Sequence, residues 1–370
     1  MTQTVQHHKE PLLRIVKRDG IARPKAYAIR IAAVLASLVV SGIFIFAITK
    51  LNPIQVYEAI FDGAFGTNRR SWVTIRDAMM LLCIGVGLAP AFKMKFWNIG
   101  AEGQILIGGV VTAGIMRAWG GDLPTPALLA VMGIVSLLCG CLWGVIPAVF
   151  KAVWNTNETL FTLMMNYVAI QITSYCVALW ENPVGSNSVG IINQMTAYGH
   201  FPKVFGQAYG LNVVLVLILA VGMYIYLKYS KQGYEISVVG DSENTARYAG
   251  INVKKVTIRT MAISGAICGL AGFIEVAGVS HTISTETAGG RGFTAIIVAW
   301  LAQFNTFVMI LISFLLVFLQ QGAIQIASQF NLNDYASEII TGIILFFILS
   351  SEFFINYRVI VRGGKEAKGK

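Results

Sequence analysis

Ten apolar runs separated by polar links constrain this chain more than any other feature. They cover residues 26–48, 72–92, 99–119, 126–150, 160–180, 211–229, 260–279, 292–302, 307–321 and 337–354. Most have the ~20 residues that a helix needs to cross the ~30 Å hydrocarbon core of a bilayer. A water-soluble fold this apolar would leave large sticky patches on its surface. Only 12% of the 370 residues are charged, about half the roughly 25% usual in soluble domains. The pattern predicts an all-α, polytopic membrane protein of about ten transmembrane helices. Runs 292–302 and 307–321 are short and predict one short or re-entrant pair around Gln303, Phe304 and Asn305. Broken helices are tolerated at membrane depth where they face protein or water instead of lipid.

The charges sit between the runs, with 28 Lys and Arg against 18 Asp and Glu, a net charge of +10. Basic residues concentrate in cytoplasmic links of membrane proteins. Residues 1–28 carry Lys9, Arg14, Lys17, Arg18, Arg23 and Lys25. Loop 228–259 carries Lys228, Lys231, Arg247, Lys254, Lys255 and Arg259, and tail 357–370 carries Arg358, Arg362, Lys365, Lys368 and Lys370. Ten crossings place all three inside, together with Lys93 and Lys95. Arg69 and Arg70 are the exception, outside. The chain therefore divides into a cytoplasmic basic segment (1–28), a transmembrane domain (29–356) containing a cytoplasmic loop (228–259), and a cytoplasmic basic tail (357–370). The long basic lead without an A-x-A site reads as an uncleaved first span.

Several function classes find no support. No basic helix or aromatic-interleaved patch offers a nucleic-acid surface. Cys83, Cys139, Cys141, Cys176 and Cys268 all lie in apolar runs, unlike a disulfide framework. The histidines are scattered, so no metal centre is expected. Residues 364–370 have P-loop spacing but lack the Ser/Thr and any framing strand or helix.

Polar residues inside the apolar runs are the functional candidates, because they are costly there. Asn98, Glu102 and Gln104 open the third run, and Arg76, Asp77, Asn166, Gln171 and Glu275 lie within others. Glu102 has a structural reading too, since a carboxylate suits the first turn of a helix. Asn98, Gln104 and Asn166 have amides able to hydrogen-bond an uncharged group, and Phe96, Trp97 and Trp300 have rings able to stack on a flat one, although membrane aromatics usually serve the core or the interfacial belt. Gly140-x-x-x-Gly144 and Gly265-x-x-x-Gly269, with Gly272 one turn on, predict close helix packing. Asn155 to Glu158 reads as a helix cap or a gate lining. In loop 228–259, Asp241 or Ser242 caps a predicted helix of about two turns with a near-alanine face, which ends at Gly250.

Three segments carry a family resemblance. Gly240-Asp241 followed by Ala246-Arg247-Tyr248-Ala249-Gly250-Ile251 resembles the coupling segment of permease subunits of bacterial ABC importers of the ribose and branched-chain amino acid type. Phe96-Trp97-Asn98-Ile99-Gly100-Ala101-Glu102-Gly103-Gln104 is similar to their other signature and looks most like the nucleoside (simple-sugar-like) branch. Gly289-Gly290-Arg291-Gly292-Phe293-Thr294-Ala295 is similar to a third family segment. After it the family usually has Leu-Leu-Gly, where this chain has Trp300-Leu301-Ala302.

The resemblance implies a translocation path for nucleosides and no enzyme activity in this subunit. It brings no cofactor of its own, ATP being bound and hydrolysed by a partner ABC ATPase. A second homologous permease, in the nucleoside branch usually a different chain, and an extracytoplasmic substrate-binding lipoprotein complete the assembly. Gly240, Asp241, Ser242, Asn244, Ala246, Arg247 and Gly250 are the implied ATPase contact. Asn98, Glu102, Gln104, Asn166 and Trp300 are the expected path residues. A ribose-type sugar permease is the alternative. An ion-gradient-driven transporter is another, for which Asp77, Glu102 and Glu275 are the carboxylates that could serve as the ion site.

Overall fold

The computed structural model describes residues 13–17, 23–204 and 206–361. The basic residues at 1–12 and 18–22, and the P-loop-like 364–370, lie outside them. Thirteen helices appear among the described residues: α1 (Arg23–Thr49), α2 (Pro53–Phe65), α3 (Asn68–Lys93), α4 (Ala101–Trp119), α5 (Thr125–Trp154), α6 (Glu158–Trp180), α7 (Gly210–Tyr229), α8 (Lys231–Asp241), α9 (Glu243–Tyr248), α10 (Val253–Glu275), α11 (Arg291–Leu301), α12 (Thr306–Phe330) and α13 (Asp334–Asn356). A π turn, Val276–Ser280, extends α10. Among the described residues, six helices are long and apolar enough to cross a membrane: α3, α5, α6, α7, α10 with its π turn, and α12. The protein is all-α and polytopic, and each of the ten apolar runs carries a helix.

The chain forms two compact units. The first comprises residues 1–66 and 319–370, and the second residues 67–318. In the first unit α1 packs on α13. Strands β1 (Leu13–Lys17) and β2 (Tyr357–Val361) pair antiparallel, with Ile15 opposite Val359. The all-helical expectation missed this pair, which two runs of β-branched residues account for. The pairing sets the two end segments side by side. Helix α2 was also unforeseen. Its 13 residues start from an Asn52 cap and Pro53, and Gly63 lies close against Gln321 and Gln325 of α12.

That contact corrects the expectation for run 307–321. The polar pair Gln320 and Gln321 reads as a helix end, yet α12 runs 25 residues, to Phe330. Only α11, at 11 residues, is short. The turn that separates them puts Gln303 and Phe304 at φ 48° and 62°, and Asn305 Oδ1 caps α12 through Phe307 N at 3.0 Å.

The second unit is built around α10, which packs on α3, α4 and α5. The glycines explain how. A Cβ on Gly269 would lie 2.5 Å from the Ser136 carbonyl of α5, and one on Gly144 would lie 2.7 Å from the Met261 carbonyl. The two backbones touch, and Ser136 Oγ donates to the Gly269 carbonyl at 2.7 Å. Gly272 meets α4 at Ile105 in the same way. The link between α5 and α6 consists of caps: Asn155 ends α5 at φ 51°, and Asn157 Oδ1 accepts from Leu160 N at 3.2 Å.

Candidate functional site

Within the second unit, α3, α4 and α10 converge on the three residues at the start of α11, Gly290 to Gly292. Gly289 and Gly290 adopt φ 59° and 72°, a left-handed region that favours glycine. The turn presents the N–H groups of Gly290 and Gly292 to Glu102 of α4. Its carboxylate accepts both, at 2.6 and 2.8 Å. A Cβ on Gly292 would lie 2.5 Å from Glu102 Oε2, so only glycine leaves room. A buried carboxylate thus sits at the N-terminus of α11, where the free N–H groups and the helix dipole favour negative charge. Glu102 belongs to the first turn of α4, as expected, but its bonds serve another helix.

Between those two glycines, Arg291 points the other way. Its guanidinium pairs with Glu275 of α10 at 2.8 Å and with Asp77 of α3 at 3.5 Å. Asp77 also holds Arg76, Nε at 2.9 Å and Nη2 at 3.1 Å, and Arg76 lies over the Tyr209 ring at 5.0 Å. Two cations and two carboxylates form one neutral knot that joins α3, α10 and α11. Arg76, Asp77 and Glu275 stood out in the sequence as isolated polar residues. Arg291 did not, because nothing local shows that it reaches across to them.

The amides form a second cluster, around the link from α3 to α4. Asn98 Nδ2 donates to Ser264 Oγ at 3.1 Å and to Gln104 Oε1 at 3.4 Å. Gln104 returns a bond to Asn98 Oδ1 at 3.3 Å. Asn166 Oδ1 accepts from Gly103 N at 2.8 Å, and its Nδ2 donates to the Ile99 carbonyl at 2.9 Å. Thr162 Oγ1 accepts from Ile99 N at 3.2 Å. All three amides are buried. They satisfy one another and the broken backbone before α4, and they present no free group to a ligand in this conformation. Ser264 and Thr162 were not singled out in the sequence; a lone hydroxyl in an apolar run gives no signal.

Trp300, on α11, is half-exposed and stacks on Trp97, centroids 5.4 Å apart and planes at 26°. Phe92 and Phe304 meet Trp300 edge-on at 6.0 and 5.4 Å. Phe96 is buried apart from this stack. The bulk that departs from the family pattern is absorbed by neighbouring rings.

The predicted loop helix is α9. Ser242, not Asp241, is its cap, accepting from Thr245 N at 3.3 Å. Its end is closed twice, Gly250 N to the Arg247 carbonyl at 3.0 Å and Ile251 N to the Ala246 carbonyl at 2.9 Å, with Gly250 at φ 75°. This is the glycine-closed Schellman end. A second helix, α8, precedes it, capped by Ser230. Gly240 abuts the Lys93 carbonyl of α3, and Ala246 is buried. The small residues therefore face into the protein and seat the loop. The outward face carries Asn244, Arg247 and Tyr248, the last 93% exposed. Arg247 reaches Glu243 at 3.5 Å, an exposed pair. Beside α9 lies a cavity of about 660 Å³ whose lining includes Lys95, Lys151, Glu158, Glu243, Arg247 and Lys254.

Comparison with known proteins gives these features a family. The chain is 28% identical over 360 residues to the glucose ABC transporter permease protein TsgB13 of Haloferax volcanii, which covers 94% of this chain and 93% of that protein. It is 29% identical over 322 residues to the guanosine ABC transporter permease protein NupP of Bacillus subtilis, 84% and 90% covered. It is 25% identical over 323 residues to the nucleoside ABC transporter permease protein NupB of Lactococcus lactis, 84% and 88% covered. No solved structure matches. Residues 73–349 match the family described as branched-chain amino acid transport system / permease component, and the chain belongs to that family of membrane permeases.

Proposed function

We propose that this chain is the membrane permease of an ATP-driven nucleoside importer. It crosses the membrane ten times with both ends cytoplasmic, and couples to a partner ABC ATPase through α8 and α9. The observation that carries this reading is the construction of α9. A six-residue helix is marginal alone, yet this one is capped at both ends and seated through Gly240 and Ala246. It is a rigid knob, with Asn244, Arg247, Tyr248 and Gly250 outward. In this reading those residues, with Asp241, meet the ATPase, while Ser242, Gly240 and Ala246 hold the knob in shape. ATP binding and hydrolysis belong to the partner, as does substrate capture by an extracytoplasmic lipoprotein.

The second permease is a homologous chain. Two guanosine permeases of Bacillus subtilis, NupP and NupQ, both match this sequence, which supports a heterodimer. The nucleoside assignment draws on NupP and NupB. A sugar is the second reading, favoured by the glucose permease that matches over 94% of the chain. The ion-driven alternative loses its basis. Asp77 and Glu275 are neutralised by arginines, and Glu102 is held by two backbone N–H groups. Asn98, Glu102, Gln104 and Asn166 hold the broken segments that border the path, and Trp300 offers its exposed indole to it.

The test is uptake of radiolabelled uridine and adenosine by cells with wild-type protein, Arg247→Glu, or an inactive ATPase partner. Loss of uptake in both variants, with Arg247→Glu still reaching the membrane, is the expected result. Normal transport by Arg247→Glu would refute the coupling role. Glucose or ribose uptake in place of nucleoside would move the substrate to the second reading.

A further inference from the structure

Helix α6 is the least apolar of the six membrane-length helices, and its polarity is divided between two faces. On the inner face Thr162, Asn166 and Thr173 are buried, and all are hydrogen-bonded. Their polarity is accounted for by the fold. On the outer face Tyr167, Gln171, Ser174 and Tyr175 are exposed, and none bonds to another described residue. Their spacing of i, i+4, i+7 and i+8 aligns them in one stripe about 100° wide. The adjoining exposed stripe of the same helix is apolar, with Val168, Ile172 and Leu179.

The flanking spans show what a lipid-facing surface of this protein looks like. The exposed side chains of α5 include Ile134, Leu138 and Leu142, and those of α7 Ile218, Val221 and Ile225. An amide left without partners in hydrocarbon is costly. Nor does the interfacial aromatic belt explain the tyrosines. Tyr167 and Gln171 each stand two residues from Ala169, the midpoint of Glu158–Trp180, only ~3 Å along the axis. A belt residue stands ~15 Å from the bilayer centre.

We infer that the Tyr167–Gln171–Ser174–Tyr175 stripe of α6 lines an aqueous path and contacts a neutral, hydroxyl-bearing substrate with a flat ring. This rests on the importer reading above and places the substrate on a helix face that the family motifs do not touch. Gln171 offers both a donor and an acceptor, and Ser174 adds a hydroxyl. Tyr167 and Tyr175, two turns apart, place rings on either side of the amide, which suits stacking of a flat heterocycle. The stripe bears no charge, so it matches a nucleoside or sugar better than a phosphate ester.

The experiment compares Gln171→Cys with Ile172→Cys in the whole transporter, using a membrane-impermeant methanethiosulfonate, with wild type as the background for the five native thiols. Labelling of Gln171→Cys but not of Ile172→Cys is expected, and saturating uridine slows it. Gln171→Leu reaches the membrane normally but loses uptake about tenfold, the effect of losing one hydrogen bond or two to a neutral group. Equal silence of both cysteines overturns the path, as does an oxidative cross-link from Gln171→Cys to the second permease. Wild-type-like uptake by Gln171→Leu overturns the substrate contact. If wild type takes up no nucleoside, the importer's substrate assignment falls, and the labelling contrast still decides the path.

Discussion

Arg291→Met isolates the charged knot. Arg291 is 28% exposed, whereas the Glu275 side chain is 8% and the Asp77 side chain 11% exposed. Asp77 keeps its two-point contact with Arg76 after the substitution. Among the described residues the Glu275 carboxylate is held by Arg291, at 2.8 Å, so the cost falls on one buried carboxylate. Removing one member of a buried pair costs about 3–5 kcal/mol. The partial exposure of Arg291 lets water screen some of this, which brings the expectation to roughly 2–4 kcal/mol. A chain of this size then loses roughly 3–5 °C in Tm. Thermal unfolding in detergent can be followed with a thiol-reactive dye, because Cys83 and Cys268 are buried and become available only on opening. The double variant Arg291→Met with Glu275→Gln removes the stranded charge and should recover more than half of the loss. A double variant no more stable than the single one would refute the reasoning, since the carboxylate would then not be what Arg291 compensates.

Two further outcomes follow from the packing and from a stacked histidine pair. Gly269→Leu drives a side chain into the Ser136 carbonyl, 2.5 Å from its Cβ, where neither backbone can yield. Overpacking of about 3 kcal/mol or more should appear as loss of folded protein in detergent, measured by size-exclusion chromatography, while Gly222→Leu, with nothing within 4 Å, stays folded. His281 stacks on His200 with centroids 3.8 Å apart, and burial, then the His200 ring, push its pKa from 6.5 down to about 4. The unfolded chain then binds a proton below about 6.5 and the folded one only below about 4, so stability is full above that window and declines as pH falls through it. The ceiling is about 3 kcal/mol. The fall in Tm between pH 7 and pH 5 should shrink in His281→Asn, a residue that tolerates the φ of 53°.

What could be read from the sequence was local. Apolar length predicts the spans, the Gly-x-x-x-Gly spacing predicts where α5 and α10 touch, and Ser242 with Gly250 predicts α9. Each depends on residues within a turn or two of one another. The misses have the opposite character. Helix α2 mixes Glu58 and Asp62 into a short apolar stretch, and only its contacts with α1 and α12 give that stretch partners. Gln320 and Gln321 look like a helix end until α2 is seen beside them. Periodicity says which residues of α9 share a face, not what that face meets, so the burial of Ala246 is a tertiary fact. The knot joins residues up to 214 positions apart, Asp77 to Arg291, and no local pattern reports such a meeting.

The two motifs before α4 and α11 are halves of one contact, and this gives a physical reason for both to occur in one chain. Helix α11 has 11 residues, roughly 16 Å at 1.5 Å per residue, too short to bring both its ends to water. Its first N–H groups must be satisfied inside the protein. The first motif delivers Glu102 at the start of α4, and the second delivers Gly290 and Gly292, whose missing side chains let the carboxylate reach the backbone. Arg291 between them turns to Glu275 and Asp77, so the added negative charge meets positive charge nearby. Polar groups buried at a break are therefore occupied in holding the break. That leaves the exposed polar groups of the spans, those of α6 above all, as the ones free to meet a passing solute.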